Sequence, residues 1–267
     1  MSPTHKHAPS ISVERLQSYL RRVVECEREV IAAPPFTVFL NSNRSSIYFN
    51  YAIPDQPVGG DLRDELERLC AVFTARQRRP RLEFIEEFAP ELPLSLRAQG
   101  FAEQARMQLM ICAPATYRPV AASTELEVIT IDGGAPLEVI HENLDVNNRG
   151  FDPHATPSSA EEATEFRAGL GDARAFTARL AGHAVAAGMY TTPIDGISEL
   201  VGIATLAEFR RRGIAAALTS HIVATAFANG VELVCLSAAD EPAGRVYERV
   251  GFQPYATMLA YIVPEGE

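Results

Sequence analysis

Cysteine is scarce in this sequence of 267 residues, and tryptophan is absent. The four cysteines, Cys26, Cys70, Cys112 and Cys235, lie in apolar surroundings and have no paired spacing. A disulfide framework or a zinc site would need such spacing, so the sequence predicts buried free thiols in a reducing compartment and no metal. Lys6 is the only lysine, which makes every other basic side chain an arginine.

Long apolar runs are missing as well. No stretch is apolar over enough residues to cross a bilayer, and the first residues lack the apolar core of a signal peptide. We therefore expect a cytoplasmic protein without a membrane partner, in which residues 1–10 are disordered. Neither Gly-x-Gly-x-x-Gly nor Gly-Lys-Ser/Thr follows a predicted strand, and no Gly-x-Ser-x-Gly elbow occurs. These absences exclude Rossmann, P-loop and α/β-hydrolase sites.

Basic charge is scarce in the second half of the chain. Residues 1–122 carry 15 basic and 14 acidic side chains, whereas residues 123–267 carry 9 and 20, which gives the net charge of −10. This distribution argues against a nucleic-acid partner and favours a cationic small molecule such as an amine. A solvated acidic surface is the alternative explanation. The arginine run at residues 76–81 is predicted to be a solvated loop.

Apolar periodicity divides the chain into two α/β halves. The first half is predicted to contain helices at residues 13–31, 61–76 and 92–99, and strands at 36–40, 47–53, 82–86 and 107–112. The second half is predicted to contain strands at residues 126–131, 173–180, 183–190, 197–206, 231–237 and 257–263, and helices at 136–146, 159–170, 213–229 and from 242 onward. An irregular loop is expected at residues 147–157, and loops of this length often carry a binding site.

The segment that links the strand at 197–206 to the following helix has the features of a phosphate site. Arg210, Arg211 and Arg212 precede Gly213, which opens a helix rich in small residues. Unpaired N–H groups at the start of a helix lie at the positive end of the helix dipole and attract phosphate oxygens. The spacing Arg210-x-x-Gly213-x-Ala215 resembles the pyrophosphate-binding motif of the GCN5-related N-acetyltransferases (GNAT family), which bind acetyl-CoA.

The resemblance extends over most of the second half. The order β-α-α-β-β-β-α-β-α-β and the sequence Tyr-x-x-x-Gly-Phe at residues 247–252 match this family. The family fold is an α/β (α+β) arrangement with a mixed, mostly antiparallel sheet and flanking helices. The resemblance implies the following acetyl-CoA contacts: Ile203, Ala204 and Thr205 for pantetheine, and Arg210, Arg211, Arg212, Gly213, Ile214, Ala215 and Ala216 for pyrophosphate. Glu241 occupies the position of a family asparagine that touches the coenzyme. Its carboxylate would have to turn away, and the adjacent Asp240 is the better helix cap.

The resemblance also implies catalytic residues. Tyr247 matches the position that commonly returns a proton to the departing thiolate, and Glu199 matches the glutamate that serves as general base in part of the family. An outward-facing strand residue is an equal alternative for Glu199, and a packed core tyrosine is an alternative for Tyr247. Four residues are candidates for lining the site of an amine acceptor: Phe151, Asp152, His154 and Tyr190.

The two halves look like copies of one another. A shift of 151 residues aligns the strand at 82–86 with that at 231–237, and places Leu96 opposite Tyr247 and Tyr48 opposite Glu199. The segment at residues 59–65, which lies opposite the turn at residues 210–213, is acidic. We therefore predict two GNAT-like domains in tandem, a degenerate one at residues 11–118 and an active one at residues 119–267. The first would pack against the second, shape its acceptor site or form a homodimer.

These observations predict an N-acetyltransferase that moves the acetyl group of acetyl-CoA, as cosubstrate, directly to a primary amine of a small molecule or peptide. A non-catalytic acyl-CoA sensor or interaction module is the alternative. Glu241 favours the sensor, and Tyr247 favours the enzyme.

Overall fold

The computed structural model describes residues 11–26 and 28–265, and the predicted disorder at residues 1–10 lies outside the described residues. The chain forms two compact units. The first runs up to Leu109 and also takes in the chain from Tyr255 onward, and the second is Met110–Pro254. Within the described ranges, no helix combines the length and the apolar character needed to cross a membrane.

Both units of the chain contain helices and strands. The first elements are α1 (Val13–Glu25), β1 (Glu29–Ala33), β2 (Phe36–Leu40), β3 (Tyr51–Pro54), α2 (Arg63–Ala75), β4 (Arg81–Ile85), α3 (Leu92–Ala98) and β5 (Ala102–Cys112). They are followed by β6 (Leu126–Ile131), α4 (Leu137–Phe151), α5 (Ala160–Gly169), β7 (Arg174–Leu180), β8 (His183–Tyr190), β9 (Ile197–Thr205), α6 (Ile214–Ala228), β10 (Leu233–Ala238), α7 (Glu241–Val250) and β11 (Gln253–Ile262). The predicted order of the second half is confirmed.

The sheet of the second unit has the strand order β6-β7-β8-β9-β10. Its first three pairings are antiparallel, and β9 pairs with β10 in parallel. Consecutive residues of β8 pack on different clusters: Ala186 lies with Leu218 and Ile222 of α6, whereas Ala187 lies with Val146 of α4. Because neighbouring strand residues point to opposite faces, α6 and α4 cover opposite faces of this sheet.

The core on the α6 face fixes the position of that helix. Leu218, Ile222 and Val223 of α6 are fully buried, as are Phe176 and Val185 of the sheet. Burial of one such side chain contributes roughly 1.5–3 kcal/mol. The start of α6, which directly follows the turn after β9, is therefore held firmly against the sheet.

The first unit departs from the prediction at its start. The predicted helix at residues 13–31 ends at Glu25, and residues 29–33 form β1 instead. β1 pairs antiparallel with β2 from Glu29 opposite Leu40 to Ala33 opposite Phe36. This pairing satisfies the backbone of the segment better than a further helical turn, because Pro34 and Pro35 stop a helix in any case.

The solvated loop predicted at residues 76–81 is exposed only at residues 76 and 77, and its later arginines are partly or fully buried. Arg79 donates to the Val263 carbonyl over 2.6 Å, and Arg81 is only 2% exposed. Arg81 donates to the Gln104 side chain over 2.6 Å and forms an ion pair with Glu83 at 2.7 Å. A buried guanidinium needs such partners, so these arginines are structural residues of the first unit.

The last strand joins the sheet of the first unit, in which the strand order is β1-β2-β3-β4-β11-β5. β11 pairs antiparallel with β4, from Met258 opposite Ile85 to Ile262 opposite Arg81. Position along the sequence assigns this strand to the predicted domain 119–267, whereas its main-chain pairing assigns it to the first unit. The compact units therefore differ in extent from the predicted domains 11–118 and 119–267.

A capping box starts α5. The Ser159 hydroxyl accepts from the Glu162 N–H over 3.1 Å, and the Glu162 carboxylate accepts from the Ser159 N–H over 2.7 Å. We expect Ser159→Ala to lower the free energy of unfolding by about 1 kcal/mol, because it leaves an unpaired N–H at the start of the helix. Thermal unfolding followed by circular dichroism measures this change. An unaltered melting temperature would show that the box contributes nothing.

Candidate active site

The parallel strands β9 and β10 separate part-way along their length. Their register runs from Ile197 opposite Leu233 to Glu199 opposite Cys235 and extends no further among the described residues. β9 continues to Thr205, where its other edge pairs with β8. Beyond Glu199, the edge of β9 that faces β10 therefore presents backbone groups with which an extended ligand can pair.

A bulge interrupts the pairing of β8 with β9 at Gly202, where β9 has one residue more than β8. Gly202 has a φ of +65°, a conformation that glycine adopts without strain. The side-chain amide of Asn147 in α4 donates to the Gly202 carbonyl. Because a bulge leaves one residue outside the ladder, this part of β9 has a backbone N–H that β8 does not use.

The turn between β9 and α6 contains two residues with positive φ. Arg211 has a φ of +63° and Gly213 a φ of +79°. α6 begins directly after Gly213, and no side chain caps its first turn. Its first N–H groups therefore point out of the helix at the positive end of the dipole. A Cβ added at Gly213 would meet no described atom within 4 Å. This arrangement suits a phosphate group.

The three arginines of this turn differ in their contacts. The Arg210 guanidinium donates to the Thr205 carbonyl over 3.0 Å and to the Gly150 carbonyl over 2.8 Å. Arg212 donates to the Glu208 carbonyl over 3.1 Å, and all three arginines, including Arg211 between these two, are exposed. Two of the three predicted phosphate ligands are thus engaged with carbonyl oxygens. We expect the main chain around the glycine to be the principal phosphate-binding group.

The three predicted pantetheine contacts lie on the open stretch of β9. Ala204 is buried, and Ile203 is half-buried against the α6 cluster. The Thr205 hydroxyl is buried and has no hydrogen-bond partner in the described part of the chain. Buried polar atoms are nearly always paired, so this hydroxyl is a group that a bound ligand can satisfy.

Tyr247 projects from α7 beside the core. Its ring packs edge-on against Phe252, with 6.0 Å between the ring centroids. Burial, followed by the nearby Asp240 carboxylate, raises the pKa of Tyr247 to about 12. No hydrogen bond joins its hydroxyl to the residues that the structure describes. Tyr247 is therefore a neutral phenol at physiological pH that can donate its proton to a bound anion.

Glu199 lies at the closed end of the gap between β9 and β10. It forms the last register pair, opposite Cys235, before the strands separate. Its N–H donates to the Thr191 hydroxyl over 3.1 Å, and its carbonyl accepts from the Thr191 N–H over 2.9 Å. Burial, followed by the Glu199 carboxylate, raises the pKa of the Cys235 thiol. The carboxylate therefore lies near a neutral, unreactive thiol.

The start of α7 follows the prediction. Asp240 is the N-cap, and its carboxylate accepts from the Ala243 N–H over 2.8 Å. Glu241 is exposed and forms an ion pair with Arg245 one turn further along. The carboxylate that replaces the family asparagine is thus held by an arginine of its own helix.

The helix α4 is longer than predicted and ends at Phe151, so the irregular loop predicted at residues 147–157 is wrong over its first part. Gly150 explains the difference. A Cβ at this position would lie 2.7 Å from the Cβ of Ala204 and 3.4 Å from the Thr205 nitrogen. Only glycine lets the last turn of α4 pack directly on β9, and this packing stabilises the additional turn.

Three of the four predicted acceptor-lining residues lie together at the end of α4. Phe151 is 67% exposed, which is unusual for a large apolar side chain. The Asp152 carboxylate accepts from the His154 N–H over 2.9 Å, and both side chains are exposed. An exposed aromatic ring beside a carboxylate and an imidazole can contact a cationic ligand.

Tyr190 lies elsewhere, in the core of the second unit. It is 1% exposed, packs at 5.9 Å between ring centroids from Phe176, and its hydroxyl accepts from the Asn229 side chain over 3.0 Å. A side chain enclosed in this way cannot contact an acceptor without rearrangement of the core. We therefore leave Tyr190 out of the acceptor surface.

Sequence reasoning missed three residues that shape the site, namely Asn147, Gly150 and Gly202. An isolated glycine inside a strand pattern is a known signal of a bulge, so Gly202 was detectable. Asn147 and Gly150 acquire their roles only through contact with β9. Across the described ranges, no group of three or more His, Cys, Asp or Glu side chains could hold a metal ion.

Comparison with known proteins identifies relatives of this arrangement. Residues 140–252 match the model of the Acetyltransferase (GNAT) family. A GCN5-related N-acetyltransferase from Kribbella flavida is 25% identical, covers 95% of this chain and 96% of its own, and superposes with a TM-score of 0.80. A GCN5-related N-acetyltransferase from Sphaerobacter thermophilus is 15% identical over 87% of this chain and 78% of its own, with a TM-score of 0.62.

A tandem GNAT protein from the clavulanic acid biosynthesis pathway is 16% identical over 97% of this chain and 90% of its own, with a TM-score of 0.57. No curated protein sequence matches the chain. The structural likenesses cover both units, so the predicted tandem GNAT-like fold with a mixed, mostly antiparallel sheet is confirmed.

Proposed function

We propose that this chain is an N-acetyltransferase, since residues 140–252 match the model of the Acetyltransferase (GNAT) family. It transfers the acetyl group of acetyl-CoA directly to a primary amine of a small molecule or peptide. The observation that carries the proposal is the open edge of β9, which leads from Glu199 into the phosphate-binding turn at the start of α6.

The residues of the site fit acetyl-CoA as a substrate. The edge of β9 offers backbone groups to the pantetheine arm, and the Thr205 hydroxyl offers an unused hydrogen bond. The turn at Gly213 offers unpaired N–H groups and space for the pyrophosphate. The substrate itself supplies an activated thioester, so the protein has to contribute mainly positioning and proton transfer.

Glu199 and Tyr247 are proposed to carry out one proton transfer each. Glu199 accepts a proton from the ammonium group, which frees the nitrogen to bond with the thioester carbonyl carbon. Tyr247 donates its proton to the sulfur as the carbon–sulfur bond breaks. Its high pKa keeps this proton in place at neutral pH. The nitrogen loses its second proton to solvent as the amide forms, and the Tyr247 oxygen takes a proton back from solvent. The N–H left free by the bulge at Gly202 can stabilise charge on the carbonyl oxygen.

The acceptor is proposed to be cationic before it reacts. Residues 123–267 carry 20 acidic and 9 basic side chains, which steers a cation toward this half. Phe151, Asp152 and His154 offer an aromatic and a charged contact at the end of α4. Both features suit an amine and disfavour an anionic acceptor.

The alternative function is a non-catalytic acyl-CoA sensor. Its support is Glu241 at the position where the family has asparagine. The ion pair of Glu241 with Arg245 weakens that support, since the carboxylate is held within its own helix. The unpartnered Tyr247 hydroxyl favours the enzyme, because a sensor has no use for a proton donor at this place.

Two measurements on the full chain separate these functions. Isothermal titration calorimetry with acetyl-CoA tests binding, and release of free thiol from acetyl-CoA over a panel of small amines and peptides tests transfer. The enzyme requires binding together with thiol release that an amine stimulates. Binding without stimulated release would support the sensor, and the absence of binding would exclude both functions.

Glu199→Gln should lower turnover about tenfold at neutral pH, which is less than a typical loss for a general base because water can also accept a proton from an ammonium group. The glutamine keeps the shape and the backbone bonds to Thr191. Thiol release at saturating amine measures the effect, and Glu127→Gln in β6 is a matched control. Unchanged turnover would assign Glu199 to the alternative role of an outward-facing strand residue.

The first unit is proposed to bind no coenzyme. Its β3 and β4 are parallel, as β9 and β10 are, but the turn before α2 is occupied by the protein itself. A Cβ at Gly59 would overlap the Glu91 side chain, and Ser95 donates to the Gly60 carbonyl over 2.7 Å. The first turn of α2 begins with Arg63 and continues with the acidic residues Asp64 and Glu65, so its net charge is negative. Negative charge at this turn repels phosphate.

The parallel pairing also corrects the internal alignment of the two halves. Ala52 of β3 pairs with Leu82, as Ile197 pairs with Leu233 in the second unit. Counting from these pairs, the residue that corresponds to Glu199 is Pro54 rather than Tyr48. Proline has no side-chain group that accepts a proton, so under this alignment no base stands at the position of Glu199 in the first unit.

A further inference from the structure

The last turn of α4 is fastened to the strand proposed to bind pantetheine. Gly150 packs against Ala204, and the Asn147 amide donates to the Gly202 carbonyl. Arg210 then joins the two elements, because its guanidinium donates to the carbonyls of Gly150 and Thr205. We call these three residues, Asn147, Gly150 and Arg210, the α4 clamp.

The chemistry of the two carbonyls explains the choice of arginine. Gly150 is in the last turn of α4, where carbonyl oxygens have no partner within the helix. Thr205 is the last residue of β9. A guanidinium is planar, has donors in a fixed fork and is favourable at the negative end of a helix dipole. It can therefore satisfy both oxygens at once, which a lysine cannot do with the same geometry.

The clamp connects the two sides of the proposed site. Phe151 and Asp152, at the proposed acceptor surface, directly follow the clamped turn, and the phosphate-binding turn begins with Arg210 itself. We infer that Arg210 is a positioning residue that ties the acceptor loop at residues 152–159 to β9, and that it is not a ligand of the coenzyme phosphates. This inference rests on the proposed function.

A consequence is that coenzyme binding should order the acceptor loop. A ligand that pairs with the edge of β9 restrains Thr205, and Arg210 transmits this restraint to the end of α4. The coenzyme would thus prepare the loop for the amine. Without Arg210, coenzyme binding no longer affects the order of the acceptor loop, while the backbone proposed to bind phosphate stays intact.

The test compares hydrogen–deuterium exchange at residues 152–159, with and without acetyl-CoA, in wild type and Arg210→Gln. In the free protein, Arg210→Gln should speed exchange of this loop about tenfold, the change expected from loss of a hydrogen bond to a charged group. Acetyl-CoA should slow exchange of the loop in wild type and leave it unaltered in the variant. Calorimetry should give acetyl-CoA affinities within about twofold for the two proteins, since a lost phosphate contact would cost about tenfold.

Two further variants sharpen this experiment. Arg149→Gln removes the same charge one residue before Gly150, from an exposed side chain without a partner among the described residues, and should match wild type. Gly150→Ala places a methyl group between α4 and β9, so it should also speed exchange of the loop. If Arg210→Gln does not fold, this variant tests whether contact between α4 and β9 orders the loop.

The outcomes distinguish this inference from the proposed function. An acetyl-CoA affinity at least about tenfold weaker in Arg210→Gln would make Arg210 a phosphate ligand and overturn the inference. Loop exchange equal to that of wild type would overturn it as well. Absence of acetyl-CoA binding to wild type would instead contradict the proposed function, and the exchange of the free proteins would still report on the clamp.

Discussion

Gly213→Val is expected to weaken the binding of acetyl-CoA about hundredfold, which corresponds to about 2.7 kcal/mol. Gly213 has a φ of +79° and is the residue from which α6 starts. A β-branched residue is strongly disfavoured in this region, so valine would turn the backbone and misalign the first N–H groups of the helix. Its side chain would also enter the space that is open beside Gly213.

Gly230→Val is the matched control for this change. Gly230 follows the other end of α6, has a φ of +87° and also has open space where a Cβ would lie. Both variants should lose stability by about 1–3 kcal/mol from the strained backbone. Only the variant at Gly213 should lose acetyl-CoA affinity in calorimetry. Equal affinities in the two variants would mean that the turn before α6 does not bind the coenzyme.

Tyr247→Phe is expected to lower turnover about hundredfold, the lower end of what a positioned general acid contributes. The phenylalanine keeps the edge-on contact with Phe252 and removes only the proton donor. Acetyl-CoA affinity should therefore stay within about twofold of wild type, since the proposed coenzyme contacts are made by β9 and the turn at Gly213. Steady-state thiol release and calorimetry measure the two quantities separately.

Tyr117→Phe controls for the loss of a phenolic hydroxyl in the same unit. Tyr117 packs beside the same cluster, and its hydroxyl is within 2.9 Å of the Ser220 hydroxyl in α6. Its removal should reduce stability slightly and leave turnover unaltered. Turnover that falls equally in both variants would show that packing, and not proton donation, is the role of Tyr247.

The dependence of turnover on pH gives a second measure of the same role. Burial and the Asp240 carboxylate raise the pKa of Tyr247 to about 12, so the phenol stays protonated until the pH approaches that value. A tyrosine with the reference pKa of about 10 would be half ionised at pH 10. We therefore expect no loss of turnover from ionisation of Tyr247 between pH 7 and 10. A decline centred near pH 10 would contradict the raised pKa.

Much of the second unit could be predicted from sequence because its signals are local. Strand β6 is predicted at its observed bounds, and the helix after Gly213 within a residue at each end. Apolar periodicity, glycine turns and a capping aspartate act within a few residues of one another. The same is true of the turn proposed to bind phosphate, whose backbone conformation depends on Gly213.

Other features depended on partners far away in the chain. The extra turn of α4 exists because Gly150 packs on Ala204, and β11 belongs to the first unit because it pairs with β4. Tyr190 looked like a strand residue able to face a ligand, but neighbouring elements enclose it. None of these contacts leaves a periodic signal in the sequence.

The turn at residues 210–213 shows most clearly which features the sequence determines and which depend on the tertiary structure. The sequence by itself determined that a glycine would open a helix after an apolar strand, because φ and helix propensity are local properties. Only the tertiary structure decided that Arg210 binds two carbonyls while the backbone beside it stays open. A long flexible side chain bonds to whichever group the fold brings within reach, and that choice is made after the chain has folded.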